Sequence, residues 1–317
     1  MHARAKWMSV AAWWSGATTS TTVTALLVLV LVPVLLLALM ASPSSLVRAH
    51  LAKFKIKWSQ EIKHAGVVKG TRYPYYLVEI QGPWAMEDRA HVEARLGGRN
   101  LSLYGVFDGH NGSQASRFCQ RHIAHLLAHS PVDVLAHPAA ALERAFKQAD
   151  GDFLATKHED AGTTALVMLA HDNMLHVASC GDSRAILVRK DASVLPLSVE
   201  HKPDRLDERQ RIARAGGTIE HWGVWRVEGL LAMSRAIGDE KLKQFVIPDP
   251  DVVSHAVTKD DAFVVLATDG LFDVLRNDEV AGLCRGELTS EAAATRLATE
   301  VVTRGIVDNT TIIVVQL

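Results

Sequence analysis

Asp108, Gly109 and His110 follow directly on an apolar run, residues 101–107, that reads as a buried strand. The chain therefore delivers a carboxylate, a glycine carbonyl and an imidazole together at a strand end. Hard divalent cations take oxygen ligands, and one carboxylate can bridge two of them. An imidazole beside such a pair is placed to move protons. In isolation an Asp-Gly pair after a strand is a turn, but here the pattern recurs. Glu87 and Asp88 stand side by side after a strand-like stretch, and Asp182 ends another strand at Gly181. Asp239 closes residues 231–239, Asp269 follows the apolar run 263–267, and Asp308 opens the last strand. Carboxylates at several strand ends can share one cation site, because the loops of a sheet gather on one side.

The elements that must hold these residues are legible from pattern. Strands are expected over residues 77–80, 101–107, 164–170, 175–179, 185–188, 263–267 and 310–315, all β-branched or apolar. Helices are expected over 113–127, 139–155, 205–215 and 290–304, where apolar residues recur at helical spacing. Ser113 and Ser290 are candidate caps, and Asp172-Asn173 reads as a tight hairpin turn. Hairpin-linked strands with a few long helices imply an α+β fold of antiparallel sheets with helices outside. Thr163 and Thr164 read as packing or hydrogen-bonding residues, and His201 as a structural hydrogen-bonding histidine. The aromatic, glycine-rich stretch 216–226 fits either a flap at the site or a turn with Trp222 in the core.

Of 317 residues, 48% are hydrophobic and 22% charged, enough for a substantial core and against global disorder. The formal net charge of -1 leaves no basic excess with which to bind nucleic acid. Cys119, Cys180 and Cys284 lie far apart in no metal-ligand spacing, so they read as reduced core thiols.

Residues 23–41 form an almost unbroken apolar run, close to the roughly 20 residues that a membrane-spanning helix needs. Trp7, Trp13 and Trp14 precede it, and Pro33 within it is tolerable in such a helix. Arg48, Lys53, Lys55, Lys57 and Lys63 follow it, which by the positive-inside rule puts the rest of the chain in the cytosol. A cleaved signal or organelle-targeting segment is the competing reading. The organisation expected is a flank at 1–22, a transmembrane helix at 23–41 in contact with membrane lipid, a basic juxtamembrane linker at 42–71 and one domain at 72–317.

The acidic motifs stand within longer blocks: Met86-Glu87-Asp88, Val106 to His110, Ala161 to Thr164, Gly181 to Arg184, His201 to Asp204 with Glu208-Arg209, Leu231 to Asp239, Thr268 to Gly270, and Asp308-Asn309. In this order, and over about residues 72–317, the series resembles the metal-dependent type-2C Ser/Thr protein phosphatase family. The resemblance implies an α-β-β-α β-sandwich of two antiparallel sheets flanked by helices. It implies two Mg²⁺ or Mn²⁺ ions at one end, with Asp108 bridging them and the Gly109 carbonyl and Glu87 on one. Asp269, Asp239 and Asp308 would serve the other, Asp88 would hold a coordinated water, and Asp182 would join Asp239 at a weaker third site. His110 would protonate the leaving group while metal-activated water attacks phosphorus. Phosphorylated proteins are the implied substrates, and a monomer is expected. One departure stands out: the family's phosphate-binding arginine, three residues before the methionine of the first block, is Pro83 here. Proline offers no fork of donors. Arg72 and Arg89, the guanidinium groups nearest in sequence, read as ordinary surface residues.

Overall fold

The computed structural model describes residues 72–158 and 160–317, with the backbone of 62–65. The apolar run 23–41 and its flank lie outside the described residues, as does most of the 42–71 connector. Among the described residues no helix is long and apolar enough to cross a membrane.

The chain order begins with β1 (Ile62–Ala65), inside the expected connector, then β2 (Tyr75–Ile80), β3 (Arg89–Glu93), β4 (Ser102–Phe107) and the short β5 (Gly109–His110). Helices α1 (Gln114–Ala128) and α2 (Pro138–Leu154) come next. They lead to β6 (Gly162–Thr163), β7 (Ala165–His171), β8 (Met174–Cys180), β9 (Arg184–Arg189) and β10 (Val194–Pro196). Then follow α3 (Leu206–Arg214), β11 (Ile219–Trp222), β12 (Val224–Val227), β13 (Ile237–Gly238), β14 (Asp251–Ala256) and β15 (Asp261–Ala267). The last elements are α4 (Asp269–Phe272), α5 (Asn277–Cys284), α6 (Ser290–Arg304) and β16 (Thr310–Gln316).

Two antiparallel sheets form the body, ordered β1-β2-β16-β15-β9-β10 and β14-β8-β7-β4-β3. The period-two alternation of each strand explains the layering. In β4, Tyr104 and Val106 point into the core between the sheets, whereas Leu103 and Phe107 point to the helices. The inter-sheet core joins them to Leu166, Met168, Val264 and Ile313. Outside one sheet α1 and α2 contribute Ile123, Leu127, Leu142 and Phe146; outside the other, α4 to α6 contribute Leu271, Val280, Leu297 and Val301. The expected helix-sheet-sheet-helix arrangement is therefore observed.

Within residues 72–317 every strand and helix expected from the sequence is present within a residue or two. The strands that escaped the pattern are β1, β3, β10 and β14 at the sheet edges, the separate β11-β12 hairpin, and the two-residue strands β5, β6 and β13 of a small third sheet. An edge strand faces solvent, so it needs no apolar run. Asp172-Asn173 does make the two-residue turn between β7 and β8, with Asp172 at φ 48°. The cap of α6 is Thr289, whose hydroxyl accepts from the Ala292 amide at 3.2 Å, rather than Ser290. Trp222 is 68% exposed on the β11-β12 hairpin, so it is no core residue.

Candidate metal centre

Strand register explains why the carboxylates meet. Phe107, the last residue of β4, pairs with Arg89, the first of β3; Ala165 opens β7 opposite Cys180 at the end of β8. In the other sheet Ala267 ends β15 opposite Arg184 at the start of β9, and Thr310 opens β16 opposite Ile80 at the end of β2. Asp108, Glu87-Asp88, Asp182, Asp269 and Asp308 each sit one to three residues beyond one of these positions. All therefore emerge at one end of the sandwich.

Asp108, Asp182 and Asp269 bring a carboxylate oxygen each within 4.8 Å of one another. The Asp108 backbone is clamped: its amide donates to Thr164 Oγ1 at 3.0 Å and its carbonyl accepts from Thr163 Oγ1 at 2.9 Å. Both threonines are buried, as hydrogen-bonding residues should be. Burial pushes the Asp108 carboxyl well above the ordinary range, and the charges of Asp88, Asp269, Asp182 and Asp308 push it further. Asp269 is raised by burial and then by Asp182 and Asp273. Asp88 is buried too; Thr268 Oγ1 donates to its Oδ2 at 2.9 Å and in turn accepts from the Thr311 amide at 2.9 Å. Burial, opposed first by the Thr268 hydroxyl, still takes Asp88 up to about 7. One oxygen each of Asp88, Asp182 and Asp269 is buried with no hydrogen-bond partner. Concentrated, desolvated and under-satisfied carboxylates are costly unless a cation shares them.

Glu87 reaches the site through its backbone: its amide donates to Asn309 Oδ1 at 2.8 Å, and its carbonyl accepts from Ser116 Oγ. A Cβ on Gly109 would lie 2.7 Å from that carbonyl, so the Asp108-Gly109 turn has no room for a side chain. Similarly, a Cβ on Gly82 would come within 2.5 Å of the Asp308 backbone, and one on Gly270 within 2.3 Å of the Asn309 carbonyl. The Asp308-Asn309 segment is thus wedged between the two glycines.

Asp239 is paired with a histidine. Strand β5 pairs with β6 and β6 with β13, which aligns His110, Gly162 and Gly238 across three strands. His110 Nε2 lies 2.9 and 3.0 Å from the two carboxylate oxygens of Asp239. Asp239 itself adopts a left-handed conformation, φ 54°, which aspartate tolerates better than most residues. Asp239 is not among the three carboxylates whose oxygens lie within 4.8 Å of one another. The partner of Asp182 is Lys202, whose Nζ lies 2.5 Å from Oδ2. Burial opposes the lysine charge, but Asp182 outweighs it and raises Lys202 above its ordinary value. Asp273, at the end of α4, is raised by burial with Asp182 among its neighbouring charges. Sequence reasoning missed Lys202 and Asp273. The i, i+4 spacing of Asp269 and Asp273 on one helical turn was the available signal.

Pro83 is exposed, next to Trp84. Neither nearby arginine replaces the missing guanidinium. Arg72 hydrogen-bonds Asn173, at the far end of β7, about 20 Å of strand from the site. Arg89 Nη1 donates to the carbonyls of Met86 and Asp88 and so holds the acidic loop. His201 is fully buried, with Nδ1 near the Gly181 backbone and Nε2 3.2 Å from Asp251, a structural role as expected. The three cysteines are free and buried.

Comparison with known proteins places this geometry. Residues 84–311 match the protein phosphatase 2C family. The chain is 40% identical over 262 residues to Probable protein phosphatase 2C 59 of Arabidopsis thaliana, covering 80% of this chain and 83% of that protein. It is 39% identical over 236 residues to Probable protein phosphatase 2C 52 of Oryza sativa subsp. japonica, covering 73% of this chain. The chain spans about half the length of that rice relative, 48%. In fold it is similar to the serine-threonine phosphatase 2C from Toxoplasma gondii, with a TM-score of 0.69 at 23% identity, over 81% of this chain and 99% of that one.

Proposed function

The chain belongs to the protein phosphatase 2C family, and from that premise we propose that it is a metal-dependent phosphatase of phosphoserine and phosphothreonine in proteins. The observation that carries the reading is the group Asp108, Asp182 and Asp269, with its buried, unpartnered oxygens. Hard oxygen donors under mutual repulsion suit Mg²⁺ or Mn²⁺, and two such ions are proposed. Asp108, the Gly109 carbonyl and Glu87 would hold one, and Asp269 with Asp308 the other, while Asp88 orients the coordination sphere. A weaker third place falls to Asp182 and Asp273. Ions bound there would supply activation of water and neutralisation of phosphate charge.

The chain's own residues supply the rest. His110 provides the proton that a departing serine or threonine oxygen needs. Its Nε2 is engaged by Asp239, and Nδ1 is buried without a partner. Asp239 fixes the orientation of the ring, as a carboxylate behind an imidazole does. Thr163 and Thr164 hold Asp108 in place.

Tethering to a membrane by residues 23–41, single-pass and with the catalytic part facing the cytosol, is part of the proposal. The apolar run and its basic flank support it. A second reading, a weakly active module that binds phosphoproteins, draws on Pro83 and on the engagement of Arg89 with the acidic loop.

The test is phosphate release from a phosphothreonine peptide by the full-length chain with Mn²⁺, with EDTA and as Asp108→Asn. Turnover that needs metal and is lost in the variant supports the phosphatase. A folded, Mn²⁺-binding chain without turnover would shift the reading to the binding module.

A further inference from the structure

Helix α1 starts four residues after His110, and its fifteen residues include no aspartate or glutamate. Arg117 and Arg121 stand one turn apart on it, both exposed. At i, i+4 spacing two like charges repel, so the pair is mildly unfavourable to the helix itself. Neither guanidinium has a hydrogen bond or an ion pair with any described residue. Three other exposed arginines are neutralised: Arg276 by Asp278 at 3.2 Å, Arg296 by Glu287 at 2.6 Å and Arg304 by Glu300 at 2.9 Å.

The arginine pair borders the candidate centre. Ser116, next to Arg117, donates to the Glu87 carbonyl, and Gln120, next to Arg121, donates from Nε2 to the Ala90 carbonyl at 2.6 Å. This face of α1 thus runs along the segment from Glu87 to Ala90. Arg89 lies in that segment, where its Nη1 donates to the Met86 carbonyl, and the Arg117 charge acts on it. Arg117 therefore lies near Arg89 beside the acidic loop, with Arg121 one turn further along the helix, and neither helix arginine has an anion.

We propose that Arg117 and Arg121 form a docking surface for acidic residues that flank the phosphorylated serine or threonine of a protein substrate. The proposal rests on the phosphatase reading and narrows its substrate class. Guanidinium forks match carboxylates in geometry, and exposed charges of this kind act on encounter and selection more than on the chemical step.

The experiment uses the full-length chain with Mn²⁺ and two phosphothreonine peptides, one flanked by glutamates and one by lysines. The expected result is a KM about tenfold lower for the glutamate peptide, narrowing as salt is raised. In Arg117→Glu/Arg121→Glu that preference disappears, and the change falls on KM. Anisotropy of the labelled glutamate peptide in EDTA reads the same surface without turnover, and weaker binding by the variant is expected. Absent turnover with arginine-dependent binding would sink the phosphatase reading and leave the docking surface standing. Equal KM for both peptides, or equal binding by wild type and variant, overturns the proposal. So does a variant that keeps its peptide preference but no longer co-sediments with phosphatidylserine vesicles, because the surface then reads lipid.

Discussion

Gly162 is the residue that allows His110 and Asp239 to meet: a Cβ there would lie 2.3 Å from His110 Nε2 and 2.1 Å from Asp239 Oδ2. A pair built this tightly has a defined job. If Asp239 orients the proton donor, Asp239→Asn should slow hydrolysis of a phosphothreonine peptide by about 10- to 100-fold. It should slow para-nitrophenyl phosphate far less, because nitrophenolate leaves without a proton. Steady-state rates on both substrates, beside His110→Ala, make the comparison. Equal losses on both, together with weaker Mn²⁺ binding, would return Asp239 to the cation ligands. Gly162→Ala should mimic Asp239→Asn.

Removing a carboxylate from the centre should stabilise the metal-free chain. Asp108 is pushed up by burial and by four neighbouring carboxylates, so its charge opposes folding when no cation is present. In EDTA, Asp108→Asn should melt a few degrees higher than wild type, at about 2–4 °C per kcal/mol for a domain of this size. Added Mn²⁺ should raise the wild-type transition and leave that of the variant nearly unmoved. A variant that melts lower in EDTA would mean that repulsion at the centre is already relieved by other means.

The wedge around Asp308 gives a test that spares every carboxylate. Gly270→Ala would place a methyl 2.3 Å from the Asn309 carbonyl and 2.4 Å from Thr310 Oγ1. Backbone cannot yield there without moving Asp308. Calorimetry should show Mn²⁺ affinity falling by about tenfold or more, in the range seen when supports of a metal site are lost. Gly282→Ala on helix α5, where a Cβ would meet nothing within 4 Å, is the control and should leave Mn²⁺ affinity unchanged.

Much of this was legible because burial writes itself into sequence. The runs ending at Phe107 and Ala267 are apolar on both faces, since each strand lies between a helix layer and the other sheet. Their ends point to Asp108 and Asp269 at once. Edge strand β3, Arg-Ala-His-Val-Glu from Arg89 to Glu93, buries one face at most and has no such signature. The contact of Asp239 with His110 was illegible for a different reason. Asp239 ends a strand of only two residues, and its partner His110 is 129 positions away. Only the three-strand alignment through Gly162 reveals which way it faces. Lys202 escaped because an ion pair with Asp182 leaves no local pattern.

The buried network around Glu208 should set the acid limit of the fold. Its side chain is 1% exposed, yet Arg235 donates to Oε1 at 2.7 and 3.1 Å, and Arg211 and Ser234 donate to Oε2 at 2.8 and 2.7 Å. Burial alone would raise the carboxyl; the donors win and bring it down from 4.5 to about 2. A depressed folded-state value means stability fully present above pH 4.5 and lost as pH falls toward 2. At about 1.4 kcal/mol per unit, the contribution is about 3 kcal/mol. Glu208→Gln should cost about that or more at neutral pH, since Arg235 and Arg211 then lose their counter-charge. Urea denaturation of both proteins between about pH 7 and about pH 3 measures it, and the gap should narrow only below about pH 5. A gap that stays constant across that range would mean the network holds Glu208 by shape and hydrogen bonds rather than by charge.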